Sequence, residues 1–456
     1  MKRIVTLAVI AACAVAAALL PRPAAAPEPL AGVVIDRPGI ESPIDASIWY
    51  CAWAQANAQR DSALAVASMT PAEAEFTFPV AIPGEPADTA SAATLGPGAA
   101  IVALSNVAQR GDSPAFIEFS DGPAAAAVTV IGDVVTADTC VAQGPDEWFF
   151  VGGSTMTGES LTLRLFNPFP EVAKVTVTGF SEIGVEALGS LRSISVNPRS
   201  WRDVPFEELL RQRQSLVLSV RSEEGLVVPA MSFRSGTDEA WWGGTALSAL
   251  WELPVTQAEG TAAAIVIANP GPSDVEVTID LYGEGVSFPA AFTLTVGPEA
   301  PLRVGLSEVD AAVLGARVSA TAPVAAAVVG IGPAGTGVTE GVAAPARTWL
   351  LPGLRTQGLD VGTLWLLNTS DEPVSVTVGV LTGSDILNSK QTVEPGRLVL
   401  IPVTDEDALG YLVSASEPFS AGWTVRGPSG IAFSSGVAIS DGTDGGTGDG
   451  AVGVDE

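Results

Sequence analysis

One stretch recurs in this chain at intervals of about 100 residues, and that recurrence limits the possible folds more than any other feature. In its clearest copy the apolar run Ile265-Val266-Ile267 meets a dense turn, Asn269-Pro270-Gly271-Pro272. Val275, Val277, Ile279 and Leu281 then alternate with polar residues. That is the signature of two β-strands joined by a polar turn. The stretch occurs earlier around Asn167-Pro168 and later around Asn368. Four markers keep their order through four copies. The first is a tryptophan at Trp49, Trp148, Trp251 and Trp349. Next comes a turn residue at Ser68, Asn167, Asn269 and Asn368, then an apolar-x-Pro step ending at Pro97, Pro198, Pro298 and Pro395. The last is a turn that opens at Ser120, Ser222, Ser319 and Ser414. A chain built this way is a tandem array.

The third copy reads as short strands at Leu250–Leu253, Ala263–Ala268, Val275–Leu281, Ala291–Val296, Leu302–Leu306, Ala316–Thr321 and Ala325–Ile331, separated by Gly, Pro, Asn and Ser clusters. Alternating strands at this spacing predict an all-β chain of four tandem immunoglobulin-like antiparallel β-sandwich units. No amphipathic helices alternate with the strands, which argues against a parallel α/β sheet. Solenoids and propellers are usually built from repeats of about 20–50 residues, whereas a unit of about 100 can bury its own core. The expected divisions are unit one at 48–146, unit two at 147–249, unit three at 250–347 and unit four at 348–440, strung as a rod or compact arc. Unit two carries two departures. Pro205 to Arg213 reads as a short helix with Asp203 as N-cap and acidic residues in its first turn. Arg234 to Ala249, containing Trp241-Trp242-Gly243-Gly244, reads as an insertion.

The N-terminus runs from Met1-Lys2-Arg3 through an apolar segment, residues 4–20, to Pro21-Arg22-Pro23-Ala24-Ala25-Ala26. Basic, apolar and small-residue regions in that order predict an export signal or membrane anchor over residues 1–26. A Pro-rich linker follows at 27–47, and a Gly- and Asp-rich tail at 441–456. The expected address is extracytoplasmic, either secreted or held to the membrane by residues 4–20 alone. Cys51 and Cys140 are then an even pair in an oxidising compartment, which predicts one disulfide. The formal net charge of −29 excludes nucleic acid as an electrostatic partner.

Chemistry is hard to find in this composition. The chain has no histidine, which removes Ser-His-Asp and Cys-His catalysis and histidine-based zinc sites. The densest carboxylates, Glu207-Glu208, Glu223-Glu224 and Asp405-Glu406-Asp407, fall at predicted turns or a helix start, where such charges are solvated. An acid-pair hydrolase is therefore the weakest of three readings. No phosphate loop or calcium-binding spacing is present, and no cofactor or metal is expected. The recurring tryptophans read as core residues. Trp201, Trp241 and Trp242 have no counterparts in the other copies, so they are the candidates for stacking on a sugar ring or docking a partner.

The order Asn-Pro, alternating strand, apolar-x-Pro and Ser-turn resembles a family of uncharacterised exported proteins of high-GC Gram-positive bacteria that carry tandem immunoglobulin-like repeats. The resemblance covers about residues 48–440 and implies a fold rather than an activity. The first copy departs most, with Ser68-Met69-Thr70-Pro71 in place of Asn-Pro and the cysteine pair found only there. The leading expectation is a non-enzymatic envelope scaffold whose partner is a wall polysaccharide or another envelope protein. The alternative is a carbohydrate-binding or glycan-processing accessory module centred on the aromatics of unit two.

Overall fold

A computed structural model describes residues 48–439, apart from 57–59, 79–87, 96–97, 105–110, 113, 121, 143, 356–357 and 384. The export segment, the linker and the acidic tail lie outside the described residues. All described residues belong to one compact unit, Ile35–Glu456.

Among the described residues the fold is almost wholly antiparallel β. Each repeat contributes two small sheets, shown most simply by the third. Its first sheet has the order Ser287–Val296, Val275–Tyr282, the first half of Leu314–Gly332, then Ser248–Gln257. Its second has the order Ala300–Gly305, Ala262–Asn269, the second half of Leu314–Gly332, then Gly335–Glu340. The two strands predicted at Ala316–Thr321 and Ala325–Ile331 are one continuous strand that passes from sheet to sheet. A further strand, Gly335–Glu340, was not predicted. Its sequence, Gly-Thr-Gly-Val-Thr-Glu, has neither a β-branched run nor apolar alternation, so periodicity cannot find it.

That unpredicted strand organises the molecule. Its counterparts are Val135–Thr139, Asp238–Gly243 and Gly430–Ser435, and each packs on the next in chain order until the fourth meets the first. The repeats thus close into a propeller-like ring instead of the expected rod or arc. The ring joins at hydrogen bonds between distant residues. Ser434 Oγ donates to Asp138 Oδ1 at 3.4 Å, Ser429 Oγ donates to the Gly132 carbonyl, and the Ala99 amide donates to the Thr382 carbonyl at 3.0 Å.

Closure changes what the strands must bury. Ile265 and Ile267 face the core of their own repeat, while Val266 and Ala268 between them face the core shared with the second repeat. A strand covered on both faces reads as a continuous apolar run, as Ala263–Ala268 does. The neighbouring strand Val275–Tyr282 keeps strict alternation because its outer face meets solvent. The repeats therefore do not hold separate cores, contrary to what their length suggested. Small residues permit the close approach of the inner strands. A methyl group added at Gly337 would lie 2.8 Å from the Phe433 ring of the fourth repeat, and one at Gly330 would meet the same ring.

The recurring tryptophans Trp49, Trp148, Trp251 and Trp349 are all buried. The turn asparagines do one job three times. Asn269 Nδ2 donates to the carbonyls of Ser273 (2.7 Å) and Val296 (3.1 Å), and its Oδ1 accepts from the Gly271 amide at 2.9 Å. Asn167 and Asn368 repeat this pattern, tying the turn to the end of the outer strand. Ser68 is too short for that span and bonds to the carbonyls of Thr70 and Pro123 instead. Cys51 and Cys140 form the expected disulfide, with Cα atoms 4.7 Å apart across 89 residues. It fastens the first strand of the first repeat to the end of its last.

Candidate functional site

Two of the three aromatic residues singled out in unit two, Trp201 and Trp241, come together through Arg164 in an interior ladder. Arg234 to Ala249 is no insertion. Asp238–Gly243 is the inner strand of the second repeat, and Trp241 holds the place taken by Ala137, Val338 and Phe433 in the others. The indole of Trp241 stacks on Trp53 of the first repeat, with centroids 5.6 Å apart and planes at 8°. The Arg164 guanidinium also lies over the Trp241 ring, at 5.2 Å, and over Trp201 at 5.7 Å. The order is Trp53, Trp241, Arg164, Trp201, running from interior towards surface. Trp201 is half-buried at the outer end. Trp242 points elsewhere and is fully buried, with 0 % exposure.

Charge holds this ladder together. Asp203 grips Arg164 through two hydrogen bonds of 2.8 and 2.7 Å. Asp203 lies in the strand Ser200–Pro205, and the helix after it is the single turn Phe206–Leu209, entered from Pro205. The expected N-cap role therefore falls away, because this carboxylate is engaged across the sheet. Glu239, also buried, accepts from Trp241 Nε1 at 2.6 Å, Arg234 at 2.9 Å and Arg60 of the first repeat at 3.3 Å. Thr136 and Asp138 of the first repeat accept from the backbone amides of Trp241 (3.1 Å) and Gly243 (3.0 Å). A guanidinium between two indoles gains from the negative ring faces, by about 0.5–2 kcal/mol per contact. The arrangement clamps the first repeat to the second, and Trp53 and Trp241 are too deeply buried within it to stack on a sugar.

The surface cavities are elsewhere. A groove of about 530 Å³ lies between the second and third repeats, with Phe149, Phe180, Val185, Leu247, Pro270 and Pro323 among its walls. A hollow of about 550 Å³ in the fourth repeat is lined by Asp385, Glu406 and Asp407 together with Thr382, Leu387 and Leu409. Among the described residues no group of three metal-ligating side chains converges. Beside the first groove, Arg213 donates to Glu186 and holds that carboxyl below its ordinary range. This ion pair anchors the loop after Gly184–Val185, where the outer strand of the second repeat is interrupted.

The inner strand of unit two was the element that sequence reasoning missed, and its signal was positional. Asp238–Gly243 and Gly335–Glu340 stand at similar distances after the turn asparagine of their repeats, Asp238 lying 71 residues after Asn167 and Gly335 lying 66 residues after Asn269. No curated protein matches the chain. The model of a family of unknown function, DUF5719, matches twice in overlapping placements, at residues 107–329 and 244–451, as an internally repeated sequence allows. With more than half its length so matched, the chain belongs to the DUF5719 family of unknown function.

Proposed function

We propose that this chain is a non-catalytic, exported scaffold of the cell envelope, which presents a stiff surface to another envelope component. The observation that carries this reading is the closed ring, in which adjacent repeats share cores and the fourth repeat bonds back to the first. Such a body holds its outer turns in fixed positions, as a docking platform requires. The disulfide supports an oxidising compartment. The basic, apolar and small-residue order of the first residues supports export. Within this reading each repeat is an immunoglobulin-like sandwich, supported by its paired antiparallel sheets facing one core.

The test is a pull-down with the full chain, using purified wall polysaccharide and an envelope extract as separate baits, beside cell fractionation of the expressed protein. The expected result is an extracytoplasmic protein that retains an envelope protein or polysaccharide at stoichiometric level. Recovery in the cytoplasm with reduced cysteines, or no retention by either bait, would overturn the proposal. A Trp201→Ala variant that loses polysaccharide alone would favour the glycan-binding reading, since Trp201 is the outer end of the ladder.

A further inference from the structure

At each junction of the ring, the first sheet of one repeat faces the turn of the next, and one cross-strand pair stands at its centre. The registers identify these pairs as Tyr50 with Phe116, Phe149 with Ser219, Glu252 with Arg317, and Leu350 with Leu412. In three cases the member at the second position is long and fills the joint. Tyr50 packs against Phe116 and, at 5.5 Å, against Phe169 of the second repeat. Arg317 and Glu252 bond to each other, and Thr369 and Ser420 of the fourth repeat complete that network. Leu350 and Leu412 pack into the cluster that holds Met69 of the first repeat. At the remaining junction the position is Ser219, and the facing turn offers Gly271 where the second repeat has Phe169. The groove of about 530 Å³ is the space left over.

We infer that this under-filled junction is a binding groove for an extended polypeptide segment that carries an apolar side chain beside a lysine or arginine. The volume lies within the range of ligand pockets, about 300–1,000 Å³. Phe149, Phe180, Leu247 and the prolines make an apolar floor, and Glu147, Asp274 and Glu299 supply carboxylates at its margins. Among the described residues that line the groove none is basic. Complementarity therefore selects a cationic, apolar occupant. A polypeptide is indicated because the apolar surface continues past the groove. Ile183, on the turn that leads into the wall residue Val185, is 69 % exposed, which is area that a small molecule in the groove would leave wet. The inference rests on the scaffold reading and names the partner class.

The test is a randomised short-peptide library panned against the disulfide-bonded full chain, with enriched peptides synthesised and titrated calorimetrically. Ser219→Leu transplants the filling of the fourth junction and should weaken binding at least tenfold without lowering stability. The exposed pair Asp274→Lys/Glu299→Lys should weaken it similarly with an unchanged melt, which covers the case in which Ser219→Leu misfolds. Enrichment of peptides without basic residues, no enrichment at all, or equal affinity for the filled variant would overturn the inference. If Ser219→Leu still captures the envelope partner of the wild-type chain, the groove assignment falls and the scaffold stands. If the wild type captures nothing, the scaffold itself falls.

Discussion

Trp241 shows how far a residue's meaning depends on its neighbours in space. As a sequence it is an aromatic without counterpart, next to glycines, and so a candidate for ligand stacking. In the fold it stacks on Trp53, lies under Arg164 and donates to Glu239. Trp241→Ala should cost about 3–5 kcal/mol in urea unfolding, the ordinary range for truncating a buried large aromatic. The recurring tryptophans and turn asparagines were legible because every copy needs the same local job done, whether filling a core or satisfying turn carbonyls. The Arg164–Asp203 pair was not legible, since 39 residues separate its members and nothing in either neighbourhood signals pairing. The tyrosines, Tyr50, Tyr282 and Tyr411, make a third residue-level case. Burial is the main cause pushing Tyr282 and Tyr411 up to about 12, and it drives Tyr50 higher still. An unfolded phenol ionises near 10, so between about pH 10 and 12 the unfolded chain binds fewer protons and stability falls as pH rises. Phenolate absorbance of the native protein at about pH 11 should accordingly be small, and rise sharply once the fold is lost.

Strands divide into those that periodicity finds and those it cannot. Val275–Tyr282 meets solvent on one face and alternates; Ala262–Asn269 is covered on both and runs apolar. Either pattern is readable. The inner strands Asp238–Gly243 and Gly335–Glu340 carry neither, because their surroundings are the backbones and side chains of the two neighbouring repeats. Each position is therefore fitted individually: Asp138 across to Ser434, Phe433 over Gly337, Trp241 between two repeats. Gly337→Ala tests this fitting. Its added methyl meets the Phe433 ring and should destabilise by about 1–3 kcal/mol. Phe433→Leu in the same chain should recover part of that loss, giving a favourable coupling energy in a double-mutant cycle of melts.

At the scale of the whole molecule, shared cores predict shared unfolding. Calorimetry of the oxidised chain should show one main transition, whereas beads on a string would melt as several. Cys51→Ser/Cys140→Ser should lower the midpoint. The 89-residue loop is worth on the order of 4–5 kcal/mol by chain entropy, and the effect should reach every repeat instead of the first alone. The β class was legible in the sequence, since the outer strands announce themselves locally. Ring closure was not, because it is written in the glycines and small polar residues of the strand without pattern. Closure also imposes an order in time. Asp138 waits for Ser434, 296 residues further along, and Gly132 waits for Ser429. A growing or threading chain therefore presents its first repeat long before the last arrives to cover it, and a helper that shields nascent surface has its longest task at the beginning of the polypeptide.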